Sequence, residues 1–345
     1  MSDKVITVLV LGAGGNDSQG IIKSLRQSHL SIKILGACVN EFSKGLYMCD
    51  ECYISPYANE ERFVPWVVDF CNKHDVDIMF TGVEENIIAL AKRNQFIKDN
   101  TKAIFVSSSY EQLLIGQDKY FTCKFLESNK CNFPKYQLWS GTQNAIAFAN
   151  KVGYPIIAKP RNGKSSKGVF CLYSEQDITH CDLSENYILE QCIGDSGSEY
   201  TVGCYVTKSG QIKILTMQRT LANGTTVWAK TISNKKIEAE CIKICECFKP
   251  VGPLNIQLRL DKNGTPVCFE LNVRFSGTTA IRSKFGFKDV KAMILEYLFN
   301  EEVSDCFNMT GGEVFRYDEE LYVSEGTTSK MKAQREISNM TEYLI

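Results

Sequence analysis

Histidine is nearly missing from this chain. His29, His74 and His180 are the only three in 345 residues. That leaves little room for histidine metal cages or for a histidine base beside a nucleophile. Charge of one sign is lacking too: 39 Lys plus Arg against 40 Asp plus Glu gives a formal net charge of −1. With no basic stripe or polybasic cluster, nothing points to a nucleic-acid or membrane surface. No apolar run approaches the roughly 20 residues of a membrane span. The opening "MSDK" leads straight into a strand-like run, without a secretory-signal pattern. Internal repeats and low-complexity tracts are absent.

What is present is an ordinary globular composition, 44% hydrophobic and 23% charged, in a chain long enough for two or three packed units. The fifteen cysteines sit mostly inside strand-like or helix-like runs such as "GACV", "VGCYV" and "PVCFEL". Free buried thiols in a reducing cytoplasm explain them better than disulfides.

Periodicity divides the chain. Up to about residue 115, short apolar strands ("KVITVLVLGA", "IKILGACVN", "VDIMFTG", "AIFVS") alternate with amphipathic helices ("SQGIIKSLRQS", "EERFVPWVVDFCNKHD", "EENIIALAKRNQFIKD"). That alternation predicts a parallel, doubly wound α/β sheet. The remainder reads as α+β. "DKYFTCKFLESNKC" is helical, "YPIIAKP" and "NYILEQCI" are short strands, and long antiparallel runs follow residue 198. In "LNIQLRLDKNGTPVCFELNVRF" the "KNG" marks a hairpin. "KIEAECIKICECF" and "KDVKAMILEYLF" are helices, and the tail from Gly311, with Arg316 and Tyr317, carries no motif.

Three stretches suggest chemistry and fail on inspection. "LGAGGNDSQG" offers Gly12 and Gly14 for a dinucleotide fingerprint, but Asp17 stands where the third glycine belongs, and no Gly-Lys-Ser/Thr follows. A tight strand-to-helix turn is the plain interpretation, with Asp17, Ser18 and the helix N-terminus left near a second substrate. Cys49, Cys52, Cys71 and His74 have zinc-ribbon spacing, yet Cys71 lies on an apolar helix stripe. "GDSG" (Gly194 to Gly197) resembles the nucleophile segment of chymotrypsin-like serine proteases, but no partner histidine precedes it.

One stretch resists explanation as packing: "LNIQLRLDKNGTPVCFELNVRFSGTT". Period-two alternation puts Glu270 and Asn272 on one strand face, Arg274 follows them, and Gln257 lies on the partner strand. Oxygen donors of this kind suit Mg²⁺. The small residues Phe275 to Thr279 form a loop suited to an anion. Upstream, Lys159 ends a strand before the polar loop from Arg161 to Gly168, a phosphate-cradling arrangement, and Lys119 is a second candidate lysine.

The runs "YPIIAKPRNGKSSKGV", "ILEQCIGDSGSEYTV", "NIQLRL" and "FELNVRFSGTT" resemble, in order and spacing, the ATP-grasp superfamily. The likeness is to the carbamoyl-phosphate-synthetase large-subunit-like branch in a short form with one ATP-grasp unit. The Glu-x-Asn-x-Arg hallmark matches Glu270, Asn272 and Arg274, and the likeness covers about residues 1 to 300. It implies a Rossmann-like domain over 1–115 and an ATP-grasp domain over 116–310. The latter would have a lid lobe near 120–188 and a catalytic lobe near 189–310, with 311–345 as an extension.

The resemblance also implies roles. Lys119 and Lys159 would contact ATP phosphates, and Ser165, Ser166 and Gly168 would belong to the lid loop. Glu190, Gln191, Cys192 and Ile193 would form the adenine hinge, and Glu199 would take the ribose hydroxyls. Gln257, Glu270 and Asn272 would ligate Mg²⁺, with Mn²⁺ as a substitute, and Arg274 would stabilise the transferring phosphoryl group. Gln257 stands where many relatives carry an acid, which leaves fewer anionic ligands. The implied activity is ATP-dependent ligation of a small carboxylate to an amine in a cytoplasmic monomer or homodimer. Glu84 and Glu85 follow a strand, where they would face the amine or serve as plain loop glutamates, and Arg219 and Lys230, flanking the loop 220–230, would hold a carboxylate or stand as exposed hairpin charges. Two other classes stay open: a nicotinamide-dependent oxidoreductase using residues 12 to 20, and a non-catalytic ATP-binding protein.

Overall fold

The computed structural model describes residues 5–163 and 167–344. The first unit is built on five parallel strands: β1 (Ile6–Leu11), β2 (Ile32–Cys38), β3 (Glu51–Ile54), β4 (Ile78–Thr81) and β5 (Ile104–Phe105). They lie in the order β3-β2-β1-β4-β5, so the first strand is central. From Val8 to Leu11, β1 is fully buried, because helices cover both faces of the sheet. Alternation divides these residues between two cores. Val8 and Val10 pack with Cys49 and Cys52 on one side, and Leu9 and Leu11 with Cys71 on the other. The cysteines with zinc-ribbon spacing therefore lie on opposite faces of the sheet. All fifteen cysteines are free thiols.

One local expectation of this unit needs revision. The helix expected across residues 84–99 divides at Arg93 into Glu84–Lys92 and Asn94–Asn100, because the backbone at Arg93 leaves the helical region. Strand β3 was not legible, since "ECYI" offers four residues and no alternation.

A smaller antiparallel sheet follows, with β6 (Tyr136–Leu138), β7 (Ile156–Pro160), β8 (Phe170–Leu172) and β9 (Tyr187–Gln191) in the order β6-β9-β7-β8. The helix Thr142–Val152 buries Ala145, Phe148 and Ala149 against Ile156, Ala158 and Leu189.

The third sheet is the largest antiparallel layer: β10 (Glu199–Val206), β11 (Ile212–Ala222), β12 (Thr225–Thr231), β13 (Gly252–Leu260), β14 (Pro266–Asn272) and β15 (Glu313–Phe315). Its order is β14-β13-β10-β11-β12-β15. The helix Lys235–Phe248 lays Ile237, Cys241, Ile244 and Phe248 onto one face, the i, i+4, i+7 spacing of an apolar stripe. The segment 220–230, expected as a loop, is instead the β11–β12 hairpin. Asn223 and Gly224 both take positive φ (49° and 73°), the backbone of a two-residue type I′ turn. After β15 the chain returns to the first unit, where β16 (Glu336–Ile337) adds an antiparallel edge to β3.

Candidate active site

A cleft of about 200 Å³ opens between the small and large antiparallel sheets. The small sheet contributes Ile157, Lys159, Glu190 and Gln191, and the large sheet Glu199, Gln257, Arg259, Phe269 and Glu270. Lys119, at the start of the helix Lys119–Ser128, enters from the side.

The two lysines are held differently. Lys159 is buried and its Nζ lies 2.7 Å from Glu190 Oε2, with a further bond to Phe269 O at 3.3 Å. Burial works against its charge, but the Glu190 carboxylate more than offsets that, and its pKa ends above the ordinary lysine value. Lys119 donates to Gly163 O at 2.7 Å and makes no ion pair with a described carboxylate. Burial pulls its pKa down, Lys159 adds to that, and the charges of Glu270, Glu84 and Glu190 only partly restore it.

Glu199 is fully engaged. Arg219 Nη2 reaches Oε1 at 2.9 Å and Arg259 Nη2 reaches Oε2 at 2.8 Å. Arg219 also donates to Gln257 Oε1 at 2.8 Å, linking the expected ribose acid to an expected metal ligand. Arg219 is therefore a buried strut behind two residues of the cleft wall. Lys230 lies on the exposed side of the hairpin, paired with Glu313 at 3.1 Å.

The β13–β14 hairpin sets the remaining donors. Gln257 pairs with Glu270 and Asn255 with Asn272 across the ladder, and a bulge after Gln257 shifts the register. Asn272 Nδ2 donates to Glu270 Oε1 at 3.1 Å. Arg274 follows the strand end and donates to Asn272 Oδ1 at 3.1 Å and to Asp17 Oδ2. The helix that begins after the opening glycines thus touches the end of the hallmark strand. Gly277 permits that approach, since a Cβ there would lie 2.3 Å from Asn16 Nδ2.

For Mg²⁺ the donor set is oxygen-rich but poor in charge: one carboxylate, Glu270, and two amide oxygens that guanidinium groups now occupy. Such a set fits an ion held mainly by nucleotide phosphates and by one carboxylate. Among the described residues no group of three His, Cys, Asp or Glu side chains gathers as a metal cage.

Of the other expected site residues, Gln191 and Ile193 line the cleft while Cys192 does not. Gly168 takes a φ of +71°, packed near Pro160 and Tyr187, and its neighbours Lys167 and Val169 line the cleft. Ser165 and Ser166 lie outside the described residues. Glu84 and Glu85 open the helix after β4. Sequence reasoning missed Arg282. It is buried and paired with Asp289 at 2.9 Å, and it donates to Asn255 Oδ1, Ser276 Oγ and Thr278 Oγ1 from beneath the small-residue loop. The only sequence signal was Gly203, whose Cβ would come within 2.4 Å of Arg282.

Residues 116–278 match the ATP-grasp domain profile, and residues 8–104 match the PylC-like N-terminal domain profile. The chain carries an ATP-grasp domain behind a PylC-like N-terminal domain. Phosphoribosylamine–glycine ligase of Fusobacterium nucleatum is 25% identical over 184 residues, covering 52% of this chain and 40% of the relative. The carbamoyl phosphate synthase large chain of Methanocorpusculum labreanum is 23% identical over 314 residues, covering 80% of this chain and 28% of the relative. The chain thus spans well under half the length of these two curated relatives. Among solved structures, the biotin carboxylase domain of Hydrogenobacter thermophilus 2-oxoglutarate carboxylase, crystallised with MgADP, ADP and bicarbonate, superimposes with a TM-score of 0.69. It is 12% identical and covers 89% of this chain and 73% of that one. That likeness establishes the shared fold. No helix among the described residues is long and apolar enough to cross a membrane.

Proposed function

We propose that this ATP-grasp chain is an ATP-dependent ligase that joins a small carboxylate to an amine through an acyl phosphate. The observation that carries the proposal is the convergence of Lys119, Lys159 and Glu270 on one interlobe cleft, with Arg274 linking that cleft to Asp17 of the first unit. The relatives named above, a ligase and a synthase, support the same class.

The nucleotide would lie in the cleft with its adenine near Glu190 to Ile193 and its phosphates toward the two lysines. A bound Mg²⁺ would supply positive charge between the phosphates, with Glu270 as its carboxylate ligand and Gln257 and Asn272 as amide ligands once released from their arginines. The substrate carboxylate attacks the γ-phosphorus. A P–O bond forms to the acyl oxygen and the bond to ADP breaks. Two anions approach in that step, and Lys119, Lys159 and Arg274 offset their repulsion while holding them in line. The amine then attacks the acyl carbon, the C–N bond forms, phosphate leaves and the amine nitrogen loses a proton. Glu199 is already held by Arg219 and Arg259, so it would reach ribose hydroxyls only with its remaining lone pairs.

The test is ADP release against a panel of amino acids and other carboxylates paired with amines. Release that needs both partners supports the ligase. Glu270→Gln removes the only carboxylate of the metal set and should lower turnover roughly 100-fold or more. Unchanged turnover would remove Glu270 from the machinery. ATP binding without ADP release from any pair would favour a non-catalytic nucleotide-binding protein, and stabilisation by NAD or NADP but not by ATP would favour an oxidoreductase.

A further inference from the structure

The C-terminal segment brings a cation to the substrate side of the site. Arg316 follows β15, and its backbone N–H donates to Val227 O at 2.8 Å, which continues the ladder with β12. Its guanidinium reaches back toward the first unit: Nη1 donates to Asn16 Oδ1 at 2.8 Å and Nη2 to Gly277 O at 2.7 Å. Both acceptors are neutral. Arg316 is half-buried, and it makes no ion pair with a described carboxylate, whereas the nearby Asp17 is bonded to Arg274. The Asp17 carboxylate favours the charge of Arg316 but is already bonded to Arg274, so two guanidinium groups share that acid. A partly desolvated cation so placed is costly unless a ligand supplies further negative charge.

A second feature points the same way. The helix Asn16–Arg26 begins at Gly15 with no side-chain cap, so its first N–H groups are not satisfied by a capping oxygen. Arg316 and Arg274 both meet this helix start, at Asn16 and Asp17, beside the loop at Gly277.

We propose that Arg316, with the uncapped start of the helix Asn16–Arg26, binds the anionic group of the second substrate, a small molecule bearing a carboxylate or a phosphate. This assignment rests on the ligase reading and adds the chemistry of the substrate that the nucleotide cleft does not hold. Burial works against the charge of Arg316 and the Asp17 carboxylate favours it, so an arriving anion would strengthen a charge the fold holds at a cost. Arginine suits the role because its planar fork can grip a carboxylate or phosphate through two N–H groups.

The full-length chain, saturated with a non-hydrolysable ATP analogue and Mg²⁺, is titrated with acetate and with inorganic phosphate. The concentration giving half-maximal thermal stabilisation is compared among wild type, R316Q and R316K. For one of the two probes, the midpoint should rise roughly tenfold or more in R316Q, the scale of losing hydrogen bonds to a charged group. R316K should fall between, because an ammonium keeps the charge but not the fork. A response to acetate names a carboxylate and a response to phosphate names a phosphoryl group. A staple role alone would lower the unliganded melting temperature of the variants and leave the midpoints equal. Equal midpoints in wild type and R316Q, or no stabilisation of wild type by either probe, would overturn the proposal. If the ATP analogue itself fails to stabilise wild type, the ligase reading has failed, and the same titrations without nucleotide still decide the role of Arg316.

Discussion

Arg274 and Arg282 flank one loop and do opposite work. Arg282 is 1% exposed, and its partners Asp289, Asn255, Ser276 and Thr278 all belong to the large lobe or the loop it carries. Arg274 keeps 15% of its side chain exposed and takes its acidic partner, Asp17, from the first unit. A guanidinium enclosed by acceptors of its own lobe fixes a loop and has no route to a ligand. One that bridges two units at the edge of a cleft can exchange its partner for a substrate oxygen. Residue type does not separate the two roles; the origin and exposure of the partners do.

The largest effect that can break this comparison is on stability. Arg282→Met leaves Asp289 buried without its cation, and burial already pushes that carboxyl above the usual carboxylate range against the pull of Arg282. Removal of one partner from such a pair should cost about 3–5 kcal/mol in urea unfolding. The double variant R282M/D289L should recover most of the loss, because two apolar side chains need no counter-charge. A double variant as unstable as the single one would mean that the bonds to Ser276 and Thr278, and not the ion pair, are what the fold depends on.

The same contrast separates Lys159 from Lys119, and pH sharpens it. Glu190 keeps the folded pKa of Lys159 above the ordinary value, so its charge persists as pH rises past the unfolded pKa. Lys119 has its folded pKa lowered by burial, so in the empty protein it loses its proton at a pH below 10.5. Below 10.5 the unfolded chain holds that proton more firmly, and the contribution of Lys119 to stability therefore rises with pH through its lowered pKa. Nucleotide phosphates favour the charged form, so ATP binding in this window takes up a proton. Affinity for ATP should fall as pH rises toward 10.5, by roughly tenfold once Lys119 is neutral. Calorimetric titration of an ATP analogue at several pH values checks this, and in Lys119→Met the alkaline fall should vanish. An equal fall in that variant would assign the titration elsewhere.

Much of this was legible in the sequence. The central strand β1, the hairpin that carries Glu270 and Asn272, and Lys159 at the end of β7 all announce themselves through short apolar runs, alternation or turn residues, which are local signals. What was not legible depends on distant partners. Arg282 sits in "TAIRSK", a segment with no motif, and acquires its role only when Gly203 and Asn255 come beneath it. The β11–β12 turn is legible in principle, since "NG" between alternating runs is a hairpin signal. Arg316 gains its place because β15 joins the far edge of a sheet whose first strand begins more than a hundred residues earlier.

The smallest expected effect supplies the baseline for these comparisons. Arg219 and Lys230 are cations of one hairpin. Arg219 is buried against Glu199 and Gln257, which line the cleft, while Lys230 and Glu313 form a pair with side chains 52% and 45% exposed. Solvent screens such a pair, and ordering two long side chains offsets most of what remains. Lys230→Ala should therefore change unfolding free energy by less than about 1 kcal/mol and leave ADP release unchanged. A fall in turnover for this variant would bring the outer face of the hairpin into the site. Exposure and partner origin would then fail as the rule that separates an acting cation from a structural one, for Arg274 and Arg282 as much as for this pair.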